Sequence, residues 1–202
     1  MSIQKRKYEL RARAERQRET RRRIAAATAA LHEEVGPART TVAEIARRAG
    51  VQRLTVYKNF PDAYELFAAC QRHFLDENPP PRASAALAIA DPGERVEAVL
   101  RRLYGWYRRT ERMSANVRRD RAIVPALDSL MARTTDARAA ELAEALAAGL
   151  AESGRPRRDV RAAVALALDF WTWRRLAREG LSDAAAARLM AKAVRAAAGE
   201  TV

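Results

Sequence analysis

One cysteine in 202 residues, Cys70, forbids an intrachain disulfide and removes any sign of an oxidising compartment. The chain has two histidines, His32 and His73, and neither stands at metal-ligand spacing from another donor. Glycine-rich phosphate loops are missing. Asp120, Asp128 and Asp136 read as helix-surface or capping groups, not as a paired-carboxylate site. With no base near Cys70 in sequence, these absences exclude the familiar catalytic arrangements. No cofactor and no metal are expected. Long apolar runs are also lacking. The cleanest one near the C-terminus, Ala162 to Leu168, ends at Asp169, well short of the roughly 20 residues a bilayer helix needs. The N-terminus is basic, but no apolar core of signal-peptide length follows it. A cytoplasmic protein without a membrane partner is the expectation. β-branched alternation is scarce, which argues against strands.

What remains is helical pattern and positive charge. The formal net charge is +13, from 38 basic and 25 acidic side chains. It is uneven: residues 1–63 hold 15 basic and 7 acidic groups, a net of +8, leaving +5 for the other 139. Only 4 of the basic residues are lysine, so a compositional bias toward arginine is present. That bias explains arginine over lysine but not the crowding at one end. Such asymmetry points to a polyanion, nucleic acid before anionic membrane.

The pattern predicts an all-α chain of about nine helices. Residues 1–19 form a basic arm. A first helix follows from about Thr20 to Val35, with Ile24, Thr28, Leu31 and Val35 on one face, closed by Gly36-Pro37. Pro61-Asp62 opens a helix carrying Tyr64, Leu66, Phe67, Cys70 and Phe74. Pro79-Pro80-Pro81 forbids continuation. Asp91-Pro92-Gly93-Glu94 is a strong helix start. Pro125 kinks or divides the segment from Ser114 to Met131. Helices are then expected near 136–152, stopped by Ser153-Gly154, over 158–179, stopped by Gly180, and over 182–198, capped by Ser182.

Between the first helix and Pro61 lies the most informative stretch, residues 41–60. Thr41 and Glu44 have capping-box spacing. Val42, Ile45, Ala46 and Ala49 make one apolar stripe, and Gly50 stands where a helix ends in positive φ. Val51, Val56 and Phe60 anchor the next helix, leaving Gln52, Arg53, Thr55, Lys58 and Asn59 facing out. This is a helix-turn-helix whose second helix suits a DNA major groove. Gln52, Arg53 and Thr55 are candidates for base edges, because arginine pairs bidentately with guanine and glutamine with adenine. Leu54 suits a thymine methyl. Thr40, Thr41, Tyr57, Lys58 and Asn59 are candidates for phosphates. In the arm, Arg16, Arg18, Arg21, Arg22 and Arg23 can follow the DNA backbone or enter a minor groove, or form a solvated tail.

Ile24, Gly36, the run from Thr41 to Val51, Thr55-Val56-Tyr57, Phe60-Pro61-Asp62 and Glu65-Leu66 together resemble the TetR family of bacterial transcription regulators. The likeness covers about a quarter of the chain, from Arg21 to about Ala69. It departs from the family pattern at three places: Asn59 in place of a usual His or Tyr, Ala63 in place of lysine, and Ala43 in place of a polar residue. The resemblance implies a homodimer with a DNA-binding domain over 20–63 and a ligand-sensing and dimerisation domain over 64–202. It further implies a repressor, released from a pseudo-palindromic operator by a small-molecule effector.

On that footing Phe74, Leu103, Tyr104, Tyr107, Met113, Met131, Phe170 and Trp171 are candidates for an effector pocket, with plain core packing as the alternative. On the 158–179 helix, Val164, Leu168 and Trp171 form one stripe and Leu166, Phe170 and Trp173 another. Two stripes suit burial on both sides. Val164, Leu168, Trp171, Leu189 and Val194 are therefore candidates for a dimer interface. Asp169 and Arg174 read as a structural ion pair, with recognition of a polar ligand group as the alternative. Two rival readings are an architectural, non-specific DNA binder and a ligand- or partner-binding protein whose helix-turn-helix is degenerate.

Overall fold

The computed structural model describes residues 3–148, 150 and 157–199, with side chains from residue 7 onward. Helix is the only regular structure among them. In order the helices are α1 (Ile3–Glu34), α2 (Val42–Ala49), α3 (Arg53–Asn59), α4 (Ala63–Glu77), α5 (Ser84–Leu87), α6 (Pro92–Arg109), α7 (Glu111–Asp120), α8 (Pro125–Met131), α9 (Ala137–Ala148), α10 (Arg157–Leu168), α11 (Phe170–Arg178) and α12 (Asp183–Ala197). The twelve exceed the expected nine because α5 is a single turn, Pro125 opens a new helix, and the helix expected over 158–179 is two. Short 3-10 turns occupy Pro37–Arg39 and Arg121–Ile123, and a π turn over Ala132–Asp136 joins α8 to α9. The stop expected at Ser153-Gly154 lies outside the described residues.

Capping residues set most of the ends. The side chains of Asp62, Asp91 and Ser182 accept the backbone N–H of Glu65, Glu94 and Ala185, three residues on. Pro92 stands in the first turn of α6, where its missing N–H costs nothing. The break between α10 and α11 has the same cause. Asp169 adopts an extended backbone and accepts from the N–H groups of Trp171 and Thr172, at 2.8 and 3.1 Å. Asp169 is thus a cap and not an ion-pair partner; Arg174 pairs instead with Glu111, at 3.0 Å.

The chain divides into two units, Met1–Pro79 with Ala115–Leu130, and Pro80–Ser114 with Met131–Val202. In the first, Ile24, Ala27 and Leu31 of α1 pack with Ile45, Ala46 and Ala49 of α2, Val56 of α3, Phe60, and Leu66 and Ala69 of α4. Each large apolar side chain buried there contributes about 1.5–3 kcal/mol. Thr28 sits among them because its hydroxyl donates to the Ile24 carbonyl one turn back, at 2.8 Å. The helix expected to open near Thr20 begins at Ile3, so residues 3–19 of the basic arm are helical.

In the second unit α6 and α12 pack on each other and α10 packs on α9 and α12. Val96, Val99, Leu100, Val160, Val164 and Val194 are buried here. Tyr107, Phe170 and Trp173 form a ring cluster with centroids 5.3–5.8 Å apart. The hydroxyls of Tyr104 and Tyr107 donate to the carbonyls of Ala167 and Leu168, at 2.7 and 2.8 Å. Those carbonyls are among the ones that α10 orphans by ending at Leu168.

Candidate nucleic-acid interface

The interface begins at a cap. The Thr41 side chain accepts from the Glu44 backbone N–H at 3.2 Å, and the Glu44 carboxylate accepts from the Thr41 N–H at 3.2 Å and from its hydroxyl at 2.8 Å. The hydrogen bond from the Thr41 hydroxyl is the main reason the Glu44 carboxyl titrates below its ordinary range. α2 ends in a Schellman pattern: the Val51 N–H reaches the Ala46 carbonyl at 2.9 Å and the Gly50 N–H the Arg47 carbonyl at 3.3 Å. Gly50 takes φ +63°, ψ +42°. A Cβ added there would meet an Arg23 guanidinium nitrogen at 2.8 Å, so both backbone and space call for glycine.

α3 is held from beneath by Val56 and Phe60, both buried in the head core. Its opposite face is open. Gln52 precedes the helix, its side chain makes no cap bond, and it is exposed, as are Arg53 and Lys58. Leu54 and Tyr57 are 59% and 55% exposed, although both are large and apolar. Thr55 is half-buried. The structure thus brings Gln52, Arg53, Leu54, Tyr57 and Lys58 together on one surface that mixes donors, cations and apolar contact.

Two expected contacts are placed differently. Asn59 does not face out: it is 8% exposed, and its amide donates to the Thr55 carbonyl at 2.8 Å. Its side chain folds back onto the backbone of its own helix one turn earlier, as short polar side chains do. Thr40 is half-buried and its hydroxyl donates to the Gly36 carbonyl at 2.8 Å. Thr41 remains exposed at the N-terminus of α2.

Three arginines expected in the arm have structural partners. Arg21 donates to the Asn59 carbonyl and lies over the Phe60 ring, 4.2 Å from its centroid. Arg23 donates to the Ala49 carbonyl and, at 3.1 Å, to that of Gly50. These cations complement the carbonyl ends of α3 and α2. Arg22 is paired with Glu19 at 2.8 Å. On another side, Arg48 of α2 grips Glu34 of α1 with two hydrogen bonds, at 2.5 and 2.8 Å.

Sequence reasoning missed the residues that fix the end of α1 from some 80 positions away. Asn116 of α7 donates to the carbonyls of His32 and Glu33, at 3.0 and 2.9 Å. Asp120 accepts from the Ala38 N–H at 3.0 Å and pairs with Arg119 at 2.7 Å. Burial raises the Asp120 pKa, but the bonds from Arg119 and Ala38, with Arg119 and Arg39 nearby, leave it below the ordinary value. Gly36 lies against Arg119 and Asp120, where a Cβ has no room. No local signal announces these pairings, because polar residues on a helix carry no mark of a distant partner.

Folding also brings together His32 and Cys70, which looked isolated. The thiol Sγ and the imidazole Nδ1 are 3.5 Å apart and buried. Burial pushes the thiol up to about 12 and the imidazole down to about 4, the latter despite Asp120. Both are neutral at ordinary pH, so the pair lacks the thiolate that nucleophilic chemistry needs.

The candidate dimer residues divide. Val164, Leu168 and Val194 are buried within the second unit, so they pack on the chain itself, while Trp171 and Leu189 are exposed. For Trp171 the break at Asp169 is the reason: it reorients the turn that one straight helix would have aligned with Val164 and Leu168. Exposed Leu166 joins Trp171 and Leu189; Phe170 and Trp173, assigned to its stripe, are buried. Among the pocket candidates, Tyr104, Tyr107, Met113, Met131 and Phe170 are buried and Leu103 half-buried in the second unit, whereas Phe74 belongs to the first.

Against known proteins, residues 24–70 match the model of the bacterial regulatory proteins of the tetR family. No curated protein matches the chain in sequence. In fold it is similar to a putative TetR-family transcriptional regulator from Rhodococcus sp., with a TM-score of 0.62 and 21% identity over 89% of this chain and 98% of that one. A TetR-like transcriptional regulator from Rhodococcus sp. RHA1 is similar too, with a TM-score of 0.61 and 22% identity over 90% and 97%. The matched segment encloses α2, α3 and the core that holds them. Over residues 24–70 the chain is thus similar to the bacterial regulatory proteins of the tetR family, and its fold is similar to those of the two TetR-like regulators.

Proposed function

We propose that this protein is a sequence-specific transcriptional regulator that binds a pseudo-palindromic operator as a homodimer in the cytoplasm. The observation that carries the reading is the outer face of α3. Gln52, Arg53, Leu54, Tyr57 and Lys58 are turned out, while Val56 and Phe60 hold the helix from beneath. Leu54 and Tyr57 add apolar contact to that face, as a thymine methyl or a sugar would use it. Arg53 and Gln52 read base edges; Tyr57, Lys58 and Thr41 set the register on phosphates. Two heads related by a two-fold axis would meet successive major grooves.

Leu166, Trp171 and Leu189 of the second unit support the homodimer, since they are large, apolar and exposed. The aromatic and methionine residues of that unit are the material for a small-molecule effector site. Release by the effector requires that it bind the DNA-incompetent state more tightly. Repression relieved by an effector is the mode we assign.

Binding of the purified protein to its own upstream intergenic DNA, against scrambled competitor, tests the reading. Palindrome-dependent retention is expected, and Arg53→Ala with Tyr57→Ala should abolish the preference while leaving stability within about 0.5 kcal/mol. Equal binding to both DNAs would favour an architectural role. Absence of binding to that and every other genomic fragment would leave a degenerate helix-turn-helix.

A further inference from the structure

The groove-facing surface of α3 leaves the first five turns of α1 without a role. α1 runs unbroken from Ile3 to Glu34, yet its packed face starts only at Arg21 and Ile24. Residues 7–19 are exposed apart from Ala12. Along them Lys7, Arg11, Arg13 and Arg18 have no carboxylate partner among the described residues, although Glu9 and Glu15 share the stretch. At about 3.6 residues per turn, Lys7, Arg11 and Arg18 fall on one stripe.

The base of this rod is pinned to the interface itself. Arg21 donates to the carbonyl of Asn59, the last residue of α3, and Arg23 to the carbonyl of Gly50 in the turn before α3. The exposed part of α1 therefore departs from beside the end of the groove-facing helix. Ile3 to Thr20 covers about 27 Å at ~1.5 Å per residue, the length of about eight base pairs at ~3.4 Å each. The rod is also at odds with its own dipole. Its first turn holds no acidic residue, and Lys7 follows near the positive end. A polyanion along the rod relieves both this clash and the repulsion among the unpaired cations.

We infer that residues 7–18 of α1 form a second, sequence-independent element that lies along the phosphate backbone of duplex DNA, beside the base pairs met by α3. The inference rests on the proposed reading of α3, and it adds a helical clamp whose strength falls with salt.

The test uses the full chain and a duplex selected by it from genomic fragments. Affinity is measured across a salt series, with hydroxyl-radical footprints at one salt concentration, for the parent and for Lys7→Gln, Arg11→Gln, Arg18→Gln combined. The expected result is a slope of log affinity on log salt shallower by roughly 0.9 for each phosphate that the variant no longer neutralises, with the preferred sequence unchanged. Protection should disappear only at backbone positions outside the α3 contacts. A slope and footprint equal to the parent's overturn the inference. A second variant, Glu9→Gln with Glu15→Gln, keeps every cation and should bind more tightly with a steeper slope; equal binding counts against the clamp. Should Arg53→Ala with Tyr57→Ala abolish the preference while both arm variants behave as parent, the reading of α3 stands and the clamp falls. If the parent binds no duplex, both fall.

Discussion

The two units of this chain use their large side chains in opposite ways. In the first, the small core of Ile24, Ile45, Val56, Phe60 and Leu66 holds up a helix whose own Leu54 and Tyr57 stay in water. In the second, Tyr104, Tyr107, Phe170 and Trp173 are buried, and the hydroxyls of both tyrosines and the Trp173 indole N–H have partners inside the unit. The head keeps the polar and cationic groups of α3 on the outside, on the face proposed to meet DNA. The second unit uses its chemistry to hold itself together. The difference teaches that aromatic residues in such a chain are not equivalent signals: Tyr57 stands open on the proposed DNA-binding face, whereas Tyr104 and Tyr107 complete the end of α10.

Truncating Trp173 should expose that contrast most strongly. It is fully buried, its indole N–H donates to Asp183 at 3.0 Å, and Arg108 lies over its ring. Trp173→Ala should cost about 3–5 kcal/mol in urea denaturation.

A pH titration of stability should then single out the first unit. His32 titrates at about 4 in the fold against 6.5 when exposed, chiefly through burial, so between those values the unfolded chain binds a proton that the folded chain refuses. Stability is full above about pH 6.5 and falls by on the order of 3 kcal/mol as the pH drops to about 4. His32→Leu should flatten that slope, and an unchanged slope would assign it to other groups.

Smaller effects sharpen the comparison. Tyr104→Phe leaves the Ala167 carbonyl buried and unpaired, for a loss of about 1–3 kcal/mol by thermal unfolding. Thr41→Ala removes the box that opens α2, for about 1 kcal/mol. Because Thr41 is also exposed beside the interface, its loss should lower DNA affinity, where Tyr104→Phe leaves the contacts of α3 intact.

The sequence made local features legible. Thr41, Asp62, Asp91 and Ser182 act within three residues of themselves, and Gly50 answers a backbone demand at its own position, so spacing alone reveals them. Val56 and Phe60 followed from helical periodicity. What stayed hidden depends on distance or competition. The 158–179 segment reads as one helix because its apolar period hardly falters. Asp169 nevertheless breaks it, since two N–H groups of the next turn and the tyrosines from α6 together outweigh one helical turn. Asn59 looked outward because periodicity ignores a side chain that folds back onto its own backbone one turn earlier. The partners of His32, Asn116 and Asp120 lie too far along the chain for any local pattern.

Gly36 carries a consequence of another kind. At φ +95° it lies where the side chains of Arg119 and Asp120 leave no room for a Cβ. Positions 36 and 120 are therefore not free to drift separately over evolutionary time. A relative that acquires a side chain at the first must displace Arg119 and the carboxylate at the second, with its grip on Ala38, and still hold the positive φ. Divergent members of this lineage should show the two positions changing together, as one inherited character carried at two places in the gene.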